Sequence, residues 1–457
     1  MAAPIAPDGP AAESDRPDPI YRPRWYRLAW FLGRPPPLSP RQWSVLGLVA
    51  VVSLFEQYDL YLFALSLKHI QADLGIPEGE LGWTAAVVRA GALPALFVTI
   101  AADRFGRRRL LLLTVVAYTL LTAATAFSPN VEYFVAVQFL ARTFAIAETL
   151  IAVVVIAEEF APRHRGWGIG ALGAIQGCGA GLAALMFGFV DVLPYGWRAL
   201  YLVGIAPLLL IAHWRRRLPE TRRFVDLREA RGAAMRSTPA LAPVVALVRD
   251  HPGRAGALGS VVLVFGLASG AAAFFAPKYL QDVHGWTPAA VAALNFLGGA
   301  LAIVANPLAG RLSDDHGRRP VTAAFALAFG LVVILFYAGA GLVVAPLWIL
   351  LIFSMMGTQV TLAAYGAEMF ATSQRSTAAG LRSAATEVGA VAGLALVSVL
   401  FAVLGSNRAA IGMLGAVALL APLLVWMLFP ETAGRSLEEI APESPAAAPP
   451  ADPSAGP

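Results

Sequence analysis

The 457-residue sequence predicts an all-α membrane protein of twelve transmembrane helices in two pseudo-symmetric six-helix bundles. Two observations carry this expectation. The chain is almost wholly apolar between short charged connections, and those connections occur twice in the same order. It is 58% hydrophobic and 14% charged, with a mean hydropathy of +0.66, far less charge than a soluble chain of this length exposes. Stretches long enough to cross a hydrocarbon core fall at 43–67, 82–101, 110–128, 131–156, 167–190 and 197–213, then at 255–277, 288–309, 321–341, 344–367, 377–404 and 409–429. They are too long and too uniformly apolar for barrel strands, so helices are the spanning element.

The repeat is read from its punctuation. DRFGRRR at 103–109 answers to DDHGRRP at 314–320, EEFAPRHRG at 158–166 to AEMFATSQR at 367–375, and PETRR at 219–223 to PETAGR at 430–435. Lys68, Gln71 and Gly75 answer to Lys278, Gln281 and Gly285 at identical spacing. The expected division is a disordered cytoplasmic tail at 1–38, bundles at 39–214 and 254–430, a cytoplasmic linker at 215–253 and a second tail at 431–457, whose residues from 441 on look disordered.

Orientation follows from arginine. Arg16, Arg22, Arg24, Arg27, Arg34 and Arg41 precede span 1, and the connections after spans 2, 4, 6, 8 and 10 carry most of the others. The positive-inside rule places both termini in the cytoplasm of a multi-pass cell-membrane protein, and the Arg-rich, Ala-rich composition suggests a bacterial inner membrane. The net charge of +5 is this asymmetry. Clusters at membrane ends exclude a nucleic-acid partner, and the bilayer is the expected one, around a monomer. The Pro-rich start has no apolar signal region. The single cysteine, Cys178, allows no internal disulfide. His69, His164 and His284 have no metal-ligand spacing, GIGALG at 168–173 follows no strand, and no ATP-binding loop occurs, so no metal, cofactor, primary pump or enzyme is expected.

The D-R-x-G-R-R loop between spans 2 and 3, with its echo from Gly310 to Arg319, resembles the signature loop of the major facilitator superfamily. An acid at one helix end meets an Arg cluster across the interface of the halves and holds one side shut. The resemblance implies gating roles for Asp103, Arg104, Gly106, Arg107 and Arg108, and for Asp314, Gly317, Arg318 and Arg319. Thr99 and Asp315 depart from the usual pattern. The ends of spans 4 and 10 resemble the E-x-x-P-x-x-x-R-G element of the sugar-porter branch, which adds Glu159, Arg165, Glu368 and Arg375. PETRR and PETAGRSLEEI resemble that branch's elements after spans 6 and 12. The sugar marks of spans 7 and 10 are missing. FEQYDLYLFAL in span 1 looks more like the G-Y-D element of proton-coupled organic-acid and aromatic-acid symporters.

Ionisable residues inside spans are costly and therefore functional candidates. Asp59 lies roughly 13 Å below the outer edge, Arg142 roughly 16 Å into span 4, and Arg382 and Glu387 roughly 10 and 18 Å above Arg375. Glu56 shares a face with Asp59. Arg89 sits in span 2 and Glu148 in span 4. Four acids thus face three arginines and are expected to pair. Relatives of the sugar-porter branch set an acid in span 1 against an Arg in span 4, which makes Asp59 with Arg142 the leading pair. Asp59, Glu56 and Arg142 are the proton-coupling candidates, since protonation of such an acid is set by its partner. Arg89, Arg382, Glu387, Glu148, Gln176, Asn295, Gln359 and Tyr365 are the substrate-binding candidates. Arg382 is expected either to meet an anionic substrate or to pair with Glu387 or Glu56. Phe63, Phe274 and Phe275 offer an aromatic wall or plain packing, and Gly-rich span 5 reads as close helix packing.

The implied function is secondary active transport of a small solute by alternating access, as proton-coupled symport of an organic acid, aromatic acids included. The alternatives are a sugar porter, a drug/proton antiporter, or a transporter-like solute sensor.

Overall fold

A computed structural model describes residues 23–27, 32, 35–99, 107–205, 242–435 and 437–441. Among these residues, eleven helices are long and apolar enough to cross a membrane. They are span 1 (Pro40–Leu65), span 2 (Glu78–Thr99), span 3 (Arg109–Ala126), span 4 (Val131–Glu159), span 5 (Arg165–Phe187), span 7 (Pro252–Val283), span 8 (Pro288–His316), span 9 (Arg318–Ala338), span 10 (Gly341–Glu368), span 11 (Thr372–Leu404) and span 12 (Asn407–Leu428). Span 6 is helical over 197–205; the rest of its expected range lies outside the described residues, as do Asp103, Arg104, Gly106 and the linker up to 241.

Local chemistry sets the helix ends. Ser39 caps span 1 in a capping box with Gln42, with Pro40 in the first turn, and Asn130, Thr287 and Ser406 cap spans 4, 8 and 12 through their side chains. These side chains satisfy backbone donors that a helix start leaves unpaired. Span 2 turns irregular over 91–94, and the Thr143 hydroxyl of span 4 donates to the freed Gly91 carbonyl at 2.7 Å, as a break at membrane depth requires.

The packing obeys the repeat. Spans 1 and 5 pack together as spans 7 and 11 do, and spans 3 and 4 as spans 9 and 10 do. The two bundles meet through spans 2 and 11 and through spans 5 and 8, which are equivalent pairs under exchange of the halves. Close approach is made by glycine in both bundles. A Cβ on Gly179 would run into the Leu54 carbonyl of span 1, and one on Gly389 into the Leu263 carbonyl of span 7.

Two expectations change at the edges. The head contains a short 3-10 helix, Arg24–Arg27, and Tyr26 and Leu38 are buried. Trp25 and Tyr26 stack edge-on against Trp43, which also meets Trp167. A Pro-rich average hid an aromatic anchor. The linker ends in a helix, Ala242–Asp250, against spans 7 and 11.

Candidate functional site

The bundles are tied together at the end carrying Lys68. Lys68 of the first half bonds Asp282 of the second at 3.0 Å, and Lys278 of the second bonds Glu78 of the first at 3.1 Å and also bonds Asp282. Asn407 reaches the Glu78 carboxylate at 2.8 Å. The repeated lysines therefore cross over, each holding the other bundle.

At the Arg-rich end the ion pairs among the described residues stay within one bundle. Arg41 binds Glu159 through two donors at 2.8 and 3.1 Å. Arg318 binds Glu368 at 2.8 Å and Asp314 at 2.5 Å. Gly317 turns the chain at φ +100°, where a side chain would meet Glu431. Glu431, from the second PET element, accepts from the backbone N–H groups of Arg318, Arg319, Thr432 and Ala433. Burial pushes its carboxyl up, but these four donors outweigh that and hold it below the usual carboxylate range. The element is thus the N-terminal cap of span 9. Arg319 stacks over Trp426 at 4.6 Å. Arg165 donates to the Phe160 carbonyl, and Arg375 leaves its Nε without a partner. Arg107 and Arg108 begin a helix, Arg107–Ala126.

Between these ends, in mid-membrane, one carboxylate joins the halves. Glu387 of span 11 accepts from Arg89 of span 2 at 2.9 Å on one oxygen and from Arg142 of span 4 at 3.1 Å on the other. At an effective dielectric of about 20, each contact attracts by roughly 5 kcal/mol, of the same order as the desolvation of several kcal/mol per ion that it opposes. Behind Arg142 lies a cavity of about 40 Å³ inside the first bundle, lined by Glu56, Asp59, Phe63, Val88, Tyr118 and Gln138 among others. Asp59 accepts from Tyr118 at 2.5 Å and Thr122 at 2.7 Å on one oxygen, and its other oxygen is buried without a partner. Glu56 accepts from Thr149, and its second oxygen is likewise unpartnered. Glu148 is fully buried on span 4. Phe63 packs at a tilt against Phe134 at 5.4 Å and, across the bundle interface, edge-on against Phe274 at 5.0 Å; Phe274 in turn meets Phe275.

The expected pairings are corrected here. Asp59 does not pair with Arg142. Neutral hydroxyls of span 3 hold one of its oxygens, and Arg142 faces the other bundle. Arg382 pairs with neither Glu387 nor Glu56. Arg382 donates to the Ser383 hydroxyl at 3.4 Å; it misses Glu387 because residues five apart on a helix lie about 140° around the axis, off a common face. Tyr365 is wholly buried, donates to the Pro430 carbonyl and stacks on Phe429, so it braces the Arg-rich end. Asn295 donates to the Val291 carbonyl of its own helix, Gln176 leaves its buried amide nitrogen unpartnered on span 5, and Gln359 is half-buried on span 10. Sequence reasoning missed Tyr118, Thr122 and Thr149. The signal was there for the first two: polar residues at an i, i+4 spacing on one face of an apolar helix.

The chain resembles known proteins along most of its length. Residues 49–364 and 258–451 match the profile of the Major Facilitator Superfamily. The niacin transporter NiaP of Acinetobacter baylyi is 30% identical over 187 residues, which is 40% of this chain; this chain spans 42% of that relative. The cis,cis-muconate transport protein of the same organism is 26% identical over 365 residues, 75% of this chain and 84% of that one. The fold matches the inward-open xylose transporter XylE from E. coli with a TM-score of 0.67 at 18% identity, covering 87% of this chain and 99% of that one. Two six-helix halves, a duplicated Arg-rich loop and an ionic bridge between the halves thus sit on a matching profile, and the chain belongs to the Major Facilitator Superfamily of membrane transporters.

Proposed function

We propose that this protein is a proton-coupled symporter of a small planar carboxylate, aromatic or conjugated, in a bacterial inner membrane, with the Arg-rich end in the cytoplasm. It acts as a monomer and moves its solute chemically unchanged. The bundles at 39–214 and 254–430, joined by the 215–253 linker, rock about the mid-membrane site. The observation that carries the reading is the position of Arg142, which lines one cavity with the buried carboxylates Glu56 and Asp59 and shares Glu387 with Arg89. Arg89 and Arg142 already hold one carboxylate between them, which is the geometry a monocarboxylate needs. Phe63 and Phe274 supply ring faces beside it. Relatives named for niacin and cis,cis-muconate support the same solute class.

The coupling chemistry follows from Asp59. Its free oxygen and that of Glu56 give a proton two landing places in the cavity shared with Arg142. An ionised Asp59 attracts Arg142 back into the first bundle; a protonated one leaves Arg142 to the solute. The crossed lysine bridges seal the outer face, so this state is loaded or emptied from the cytoplasm. The Arg-rich loops, including Asp103 and Arg104, latch that side in the opposite state.

Uptake of radiolabelled nicotinate, benzoate and xylose into proteoliposomes tests this, with protein-free vesicles setting the passive baseline for weak acids. The acids should accumulate above that baseline only with an inside-alkaline gradient, and xylose should not. Protein-dependent uptake indifferent to the gradient would reject the symport reading.

A further inference from the structure

We propose that Glu387 is a built-in stand-in for the substrate carboxylate: it occupies the Arg89–Arg142 clamp and must be displaced for the solute to bind. This rests on the carboxylate reading above and adds a competitor to it. Both Glu387 oxygens are used, one by each arginine, at 2.9 and 3.1 Å. That is how two guanidinium groups hold any carboxylate, a ligand's included. The two cations come from spans 2 and 4 of the first bundle and the occupant from span 11 of the second. Span 11 is packed tightly on span 7 at Gly389 and Gly393, where a Cβ would strike the Leu263 and Leu267 carbonyls. Glu387 therefore travels with its bundle, and replacing it by a solute removes a tie between the halves. Space points the same way. The cavity that Arg142 lines on the first-bundle side measures about 40 Å³, room for a few waters and none for an aromatic ring, so a solute that reaches both arginines needs the place that Glu387 occupies.

A competitor that fills a site lowers apparent affinity by the fraction of time it is bound. A purely structural ion pair predicts something else: its loss loosens packing and affects charged and neutral ligands alike. The experiment measures equilibrium binding of nicotinate, and of its uncharged isostere nicotinamide, to purified full-length protein in nanodiscs. Glu387→Gln should bind nicotinate about tenfold more tightly than the unsubstituted protein and leave nicotinamide unchanged. Glu387→Asp keeps the charge but is too short to reach both arginines, and should give a smaller gain, about threefold. It also serves as the test if the Gln variant does not fold. If the unsubstituted protein binds nicotinate and neither variant binds it more tightly, the stand-in is overturned while the carboxylate reading survives. If benzoate, nicotinate and cis,cis-muconate all fail to bind the unsubstituted protein and both variants, the carboxylate reading falls and this inference with it.

Discussion

The two bundles treat their buried carboxylates differently. In the first, Asp59 and Glu56 are held by hydroxyls of their own bundle, from Tyr118, Thr122 and Thr149. In the second, Glu387 leaves its bundle altogether and lies between two arginines of the other. The chain register makes the contrast sharper. The position opposite Asp59 is Ser269, and opposite Arg142 the second half offers only Leu351, Ile352 and Phe353. A hydroxyl-lined carboxylate can gain or lose a proton without the halves moving. A carboxylate bridging the halves cannot exchange its partners without moving them. On the function proposed above, the duplicated residues form the machine, and the unduplicated ones divide into a proton site within the first bundle and a solute site between the bundles.

Removing the arginine common to both sites should have the largest effect. Arg142→Ala unpairs half of the Glu387 bridge and strips the clamp, so carrier-mediated uptake of nicotinate should fall about 100-fold, the scale of a lost charge partner in a desolvated site. Uptake within threefold of normal would break the comparison at its interfacial half. Tyr118→Phe tests the enclosed half. It removes a 2.5 Å donor to Asp59, and a hydrogen bond to a charged group contributes about 1.5–3 kcal/mol. Gradient-driven uptake should drop roughly tenfold while nicotinate binding, read by equilibrium dialysis, stays within about twofold. Equal losses in both would mean that the two sites are one.

The smallest effect concerns a carboxylate outside the membrane. Glu431 is held by backbone donors at the start of span 9, and its folded pKa is depressed. Its stabilisation is therefore fully present above the ordinary carboxylate pKa of about 4.3 and is lost as pH falls through the lower folded value. Glu431→Gln should lower thermal stability by about 1 kcal/mol at pH 7, with the difference vanishing in stronger acid. A gap that widens in acid would contradict the capping role.

Much of the fold could be read from composition and repeated punctuation, because a bilayer leaves few alternatives to apolar helices. The charged members of the site were legible for the same reason: an ionisable group in a span is expensive enough to stand out. Their pairing was not. Counting acids against arginines assumed that charge answers charge, whereas Asp59 is held on one oxygen by neutral hydroxyls that cost little on an apolar helix and so draw no notice. Which way a helix turns its face decided the rest. Arg142 looks across to Glu387, and Arg382, five residues before Glu387, looks away from it. Neither rotation is written in spacing along one chain.

The central claim is that Asp59 carries the coupled proton while the arginine clamp carries the solute. Radiolabelled nicotinate uptake by Asp59→Asn proteoliposomes tests it most directly, measured both down a pH gradient and as exchange against nicotinate inside. The account predicts that gradient-driven accumulation falls to the protein-free baseline while exchange stays within about threefold of the unsubstituted protein, since the clamp is intact. Accumulation that persists in Asp59→Asn, or exchange that disappears together with it, would contradict the separation of the two sites.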